Sequence, residues 1–83
     1  MQVNIRYFAS IRETIGVSQE RVETSGQTLS DLRSELIARG GTYAECLASG
    51  RALRMALNQV MADEDAVLVE GAEVAFFPPV TGG

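Results

Sequence analysis

"TLSDLRSELIARGG", Thr28–Gly41, is the most regular segment of this 83-residue chain. Leu29, Leu32, Leu36 and Ile37 recur at three- and four-residue intervals, which places them on one face of an α-helix. Thr28 followed by Asp31 has the spacing of a capping box, in which each side chain satisfies a backbone N–H of the first turn. Arg39 falls in the predicted last turn, where a cation suits the helix dipole, and Gly40 is placed to end the helix. A helix with one leucine-rich stripe must cover apolar surface elsewhere. The flanking segments offer a sheet.

Upstream, "QVNIRYF" (Gln2–Phe8) alternates, with Val3, Ile5 and Tyr7 on one side and Gln2, Asn4 and Arg6 on the other, the period of a half-buried strand. "SIRETIG" predicts a short helix, with Ser10 and Glu13 at capping spacing and Gly16 at its C-terminal end. "QERVETS" predicts a second strand, Val22 inward and Arg21 and Glu23 outward, pairing with the first as a hairpin. Downstream, Tyr43 to Leu47 reads as a turn in an irregular stretch. "ALRMALNQV" is again a strand, with Leu53, Met55 and Leu57 inward, and Asn58-Gln59 forms a tight turn before Val60 and Met61. An acidic loop with a turn at Gly71 leads to the last strand, "EVAFF". A hairpin, a crossing helix and further strands in one mixed sheet, with the first and last strands central, is an α+β, β-grasp arrangement. The division expected is a β-grasp domain over residues 1–77 and an extended C-terminal tail over residues 78–83.

Composition excludes several kinds of chemistry. There is no histidine, and all seven basic residues are arginine. Histidine-based metal sites, histidine general bases and lysine Schiff bases are therefore excluded, and no metal is expected. The single cysteine, Cys46, permits no intramolecular disulfide and reads as a buried apolar side chain. Glu20 and Glu23, like Asp63, Glu64 and Asp65, read as turns and solvated faces. A net charge of −4 argues against nucleic acid as a partner and suits a basic protein partner. No stretch approaches the ~18 apolar residues of a membrane span, so no membrane association and a cytoplasmic location are expected.

The final stretch, "FFPPVTGG", combines features that a terminus rarely combines. By alternation Phe77 shares a face with Glu73 and Ala75, opposite Val74 and Phe76. Phe77 is then either tucked beneath a loop or a partner anchor on an open sheet face. Pro78 and Pro79 stop the strand and favour a stiff, extended spacer. From Phe77, six further residues reach roughly 20 Å when extended. Gly82 and Gly83 have no side chains and suit a narrow channel. The one reactive group of such a tail is its carboxylate, which is inert until activated, most directly by adenylation.

"EVAFFPPVTGG" resembles the C-terminus of the small, sulfur-carrying subunits of molybdopterin synthase. "YFASIRETIG" and "LNQVMADEDAVLVEGAEV" extend the resemblance over most of the chain. Glu70-Gly71-Ala72 departs from the Asp-Gly-Asp usual in that family. The resemblance implies a ubiquitin-like β-grasp sulfur carrier with no bound cofactor, working in a heterotetramer with the large subunit of the synthase. An E1-like enzyme using ATP would adenylate the carboxylate of Gly83, and a sulfur donor would convert the adenylate to a thiocarboxylate. Pro79, Val80, Thr81 and Gly82 would insert into the large subunit, and Phe77 and Met61 would contact its surface. Sulfur would pass to cyclic pyranopterin monophosphate to form the molybdopterin dithiolene, with the catalytic side chains on the large subunit. Other readings are a sulfur carrier for thiamine thiazole synthesis, a ubiquitin-like protein modifier, and a non-catalytic adaptor.

Overall fold

Alternating burial along the first strand sets the architecture. Val3, Ile5 and Tyr7 are at most 1% exposed, whereas Gln2 and Arg6 face solvent. The computed structural model describes residues 1–48 and 52–79. In chain order its elements are β1 (Gln2–Tyr7), α1 (Ala9–Ile15), β2 (Gln19–Glu23), α2 (Leu29–Ile37), α3 (Gly41–Leu47), β3 (Arg54–Leu57), β4 (Val60–Ala62) and β5 (Glu73–Phe77). Among the described residues the strands form one mixed sheet, ordered β2-β1-β5-β3-β4. β1 and β5 pair in parallel near its centre, and the other ladders are antiparallel. The first and last strands are therefore interior, as their apolar content predicts.

One face of the sheet carries the core. Val3, Ile5 and Tyr7 of β1, Val22 of β2, Met55 of β3 and Val74 and Phe76 of β5 pack with Leu29, Leu32 and Leu36 of α2. The predicted capping box of α2 is present. Thr28 Oγ1 accepts from the Asp31 N–H at 3.2 Å, and Asp31 Oδ2 accepts from the N–H groups of Thr28 and Gln27 at 3.2 and 2.9 Å. Those backbone donors hold the Asp31 carboxyl below its usual range. Two further N–H groups of the first turn, on Leu29 and Ser30, donate to the carbonyls of Ala66 and Glu64, so the acidic loop closes the helix start. The turn at Asn58-Gln59 has positive φ at both residues (50° and 69°), the type I′ geometry whose twist matches a hairpin.

Several expectations are corrected. Ser10 does not cap α1. The N-cap lies two residues earlier, at Phe8, because the Phe8 N–H is held in the sheet by the Phe76 carbonyl and its own carbonyl accepts from Ile11 and Arg12. Gly16 closes that helix as expected, at φ 95°. The span from Tyr43 to Leu47 belongs to a helix, α3, rather than a turn. It buries Cys46 and Leu47 and ends on carbonyls held from outside: Arg33 Nε donates to Leu47 O at 2.8 Å and Nη2 to Ala48 O at 2.7 Å. Arg39 lies beyond α2, which ends at Ile37, so it does not serve that helix's dipole.

The last correction concerns Glu20. It shares strand parity with Val22, so it points to the core face, at the β2 edge of the sheet. There Oε2 accepts from the hydroxyls of Tyr7 and Tyr43, each at 2.8 Å, and Oε1 accepts from Arg39 at 3.1 Å. Burial alone would raise the Glu20 carboxyl. The donors from Tyr43, Tyr7 and Arg39 outweigh it and hold the group below its ordinary value. Burial first, and then the same carboxylate, push both tyrosines up. Glu64 is likewise more than a solvated acid, accepting from Arg33 Nη1 at 2.6 Å.

These bonds have a pH signature. A carboxylate more acidic folded than unfolded contributes stability above its unfolded pKa, about 4.3, and loses it as pH falls through the depressed folded value. Glu20→Gln should cost about 1–3 kcal/mol at pH 7, the scale of hydrogen bonds to a charged acceptor. The gap to the parent should narrow below about pH 4.3. Urea denaturation across pH 3–7 checks this, and a gap that stays constant with pH would exclude the assignment.

Candidate functional site

The face of the sheet away from α2 carries the site. Strand register lines up one row of side chains across it: Arg6 on β1 beside Ala75 on β5, then Ala56 on β3, then Met61 on β4. The two alanines keep the middle of the row shallow. In the next row Phe77 of β5 stands opposite Arg54 of β3, and on its other side meets Phe8, the residue after β1. The Phe8 and Phe77 rings pack edge to face, with centroids 6.3 Å apart and planes at 89°, the geometry that sets a positive ring edge against a negative face. Phe8, Ala56, Met61, Ala75 and Phe77 together line an open concavity of about 470 Å³, with Arg6, Gln59 and Glu73 at its rim.

Phe77 is half-buried, and Phe8 is one of the groups that cover it. Met61 is 54% exposed and Phe8 38%. The fold thus brings Phe77 and Met61, distant in sequence, onto one surface, and adds Phe8, which sequence reasoning missed. Its signal was available in part, since Phe8 shares strand parity with Arg6 and not with Tyr7. Its neighbour could be known only from the parallel pairing of β1 with β5.

A second aromatic pair lies directly beneath, on the core face. Tyr7 and Phe76 stack at 6.2 Å with planes 15° apart. Adjacent residues of β1 and β5 therefore grip each other on both sides of the sheet, and the Phe8 N–H to Phe76 O bond, 3.1 Å, joins the two pairs. The strand ends at this point. Pro78 and Pro79 follow, both half-buried, and Pro78 lines a small cavity of about 90 Å³ with Ser10, Ile11 and Thr14 of α1. The spacer begins along the body of the domain, where an arm standing clear of it was expected. Val80, Thr81, Gly82 and Gly83 lie outside the described residues.

Among the described residues no group of three His, Cys, Asp or Glu side chains could hold a metal ion, and no helix is long and apolar enough to cross a membrane. The site offers apolar contact and charge at its rim. A mixed sheet that grips one main helix and presents an aromatic patch at the foot of a Pro-Pro-Val-Thr-Gly-Gly segment defines a ubiquitin-like β-grasp protein. Comparison with known proteins narrows the class. The ThiS family profile matches residues 5–83. The molybdopterin synthase sulfur carrier subunit of Escherichia coli (strain K12) is 38% identical over 81 residues, covering 98% of this chain and 99% of that protein. The crystal structure of SAMP1 from Haloferax volcanii superposes with a TM-score of 0.79 at 26% identity, each chain covered in full (100%). A chain of the protein–protein complex of subunits 1 and 2 of molybdopterin-converting factor from Helicobacter pylori 26695 matches with a TM-score of 0.70 at 27% identity, again over 100% of both chains. This chain belongs to the ThiS family, among the sulfur carrier subunits of molybdopterin synthase.

The two faces of β5 should respond differently to truncation. Phe76 is fully buried (0% exposed), so Phe76→Ala should cost the 3–5 kcal/mol typical of a core phenylalanine. Phe77→Ala and Phe8→Ala remove rings that the domain covers only in part, and each should cost less than about 2 kcal/mol. Denaturant melts of the three variants check this, and equal losses at Phe76 and Phe77 would mean that Phe77 serves the core.

Proposed function

We propose that this chain carries sulfur as a thiocarboxylate on Gly83 and delivers it inside the large subunit of a molybdopterin synthase. The observation that carries the reading is the position of the Phe8, Phe77 and Met61 surface, which is exposed and ends where β5 passes into Pro78. Docking through that surface aims the following residues at the partner. Residues 78–83 then act as the tail, in which Pro79, Val80 and Thr81 span the approach and Gly82 passes where a side chain would obstruct.

The chemistry follows from what the tail holds. A carboxylate is a poor acceptor, so an E1-like partner uses ATP to form the acyl-adenylate at Gly83, releasing pyrophosphate. A sulfur donor displaces AMP and leaves the thiocarboxylate, whose sulfur is transferred to cyclic pyranopterin monophosphate. The chain binds no cofactor of its own, ATP belonging to the activating enzyme. With no histidine, no lysine, and its one thiol buried at Cys46, it supplies neither the proton transfers nor the positioning of the transfer step. Those fall to the large subunit, in a heterotetrameric assembly in the cytoplasm.

Deleting Gly83 should abolish adenylation, read as ATP–pyrophosphate exchange with the E1-like enzyme, while the circular dichroism spectrum stays unchanged. Exchange at the parental rate would exclude Gly83 as the acceptor. Phe77→Ala should weaken binding to the large subunit by about 2 kcal/mol or more, the threshold of an interface hot spot. Removing Val80 and Thr81 while keeping Gly82 and Gly83 should leave that binding largely intact but stop single-turnover dithiolene formation. Normal turnover by the shortened thiocarboxylate would show that the tip need not reach a deep site.

A further inference from the structure

Two guanidinium groups bracket the docking patch, and apolar contact alone leaves them without a role. Arg6 and Arg54 are both exposed and belong to the open face, Arg6 in line with Ala75 and Arg54 opposite Phe77. They occupy diagonally opposed corners. Two strand spacings and two residue rises separate them, which puts their Cα atoms about 12 Å apart. Arg6 lies over the Phe8 ring, its Cζ 5.4 Å from the centroid, so one charge is held against the aromatic that borders Phe77.

Among the described residues neither arginine has a carboxylate within ion-pair distance, as is also true of Arg12 and Arg21, whereas Arg33 pairs with Glu64 and Arg39 with Glu20. What distinguishes Arg6 and Arg54 is their place beside Ala75 and Phe77 on the open face. Glu73 lines the same concavity as Arg6 without pairing with it, its backbone N–H bound by the Asn58 side chain, and Asp63 and Glu64 line a cavity with Arg54 without an ion pair to it. A planar guanidinium beside an apolar anchor is a preferred interface group because it accepts a carboxylate in a fixed two-point geometry. An acidic chain thus presents two arginines without ion pairs at the edge of its apolar patch.

We propose that the partner surface seated on this patch is apolar at its centre and carries carboxylates that pair with Arg6 and Arg54. The apolar side chains then supply most of the affinity, and the two arginines set the encounter rate and the orientation in which the face carrying the tail arrives. The proposal rests on the reading that Phe8, Phe77 and Met61 dock on the large subunit.

Stopped-flow association of the full chain with the large subunit tests it, at about 0.05 M and about 0.5 M sodium chloride, where screening lengths differ roughly threefold. The parent should associate on the order of ten-fold more slowly at the higher salt. Arg6→Gln and Arg54→Gln should each slow association about threefold or more at low salt and flatten its salt dependence. Ser34→Glu makes the same change in net charge on the exposed surface of α2, away from the open face, and should associate at close to the parental rate. Equal slowing by Ser34→Glu and Arg54→Gln would overturn the proposal, because only overall charge would then matter. Arginine variants that associate like the parent would also overturn it. Phe77→Ala separates this failure from that of the docking reading. If Phe77→Ala weakens binding while the arginine variants do not, only the carboxylate pairing falls. If Phe77→Ala binds as tightly as the parent, the docking reading fails and the pairing with it.

Discussion

The parallel ladder between β1 and β5 joins the two ends of the chain, and most of the structure depends on it. Its register sets Tyr7 beside Phe76 on the core face and Phe8 beside Phe77 on the open face. A slip of one residue would send both rings of each strand to the wrong side, because side-chain direction alternates with a period of two. The core would lose Tyr7 and Phe76, each at most 1% exposed, and the open face would lose its aromatic patch. The same pairing therefore holds the fold together and fixes the place and direction in which the residues after Phe77 leave the sheet.

Two polar side chains, the partly buried Glu20 and the buried Arg33, reinforce that arrangement. Glu20 gathers Tyr7, Tyr43 and Arg39, which ties β1, β2, α3 and the segment after α2 to one carboxylate. Arg33 reaches from α2 to the last carbonyls of α3 and to Glu64 in the acidic loop. Among the described residues no buried side-chain nitrogen or oxygen lacks a hydrogen-bond partner, which is the condition under which such groups add specificity rather than cost. Tyr7 belongs to both the carboxylate cluster and the aromatic stack, and so links the polar edge of the core to the strand that carries the site.

The chemistry proposed for this family member divides between a rigid body and its last residues. In that proposal the body contributes a surface and a direction, and the reacting atom belongs to the tail. On that proposal the open, shallow patch among the described residues serves positioning, which is what a carrier has to provide.

Much of this was legible in the sequence because its signals are local. Alternation in β1 and β5, the Thr28 and Asp31 box, the Asn58-Gln59 turn and Gly16 at the end of α1 each act within a few residues, and all are present as read. The composition excluded histidine and lysine chemistry, and the proposed acceptor, Gly83, lies outside the described residues. Tertiary structure decided the rest. α3 was hidden because its glycine-rich start looks like a turn and its end is held by Arg33 from another helix. Glu20 looked solvated because its donors lie 13, 19 and 23 residues away. Phe8 became part of the patch only when β1 and β5 paired. Periodicity and capping are properties of neighbours in the chain, whereas a buried charge and a surface patch depend on which strands and helices meet in space.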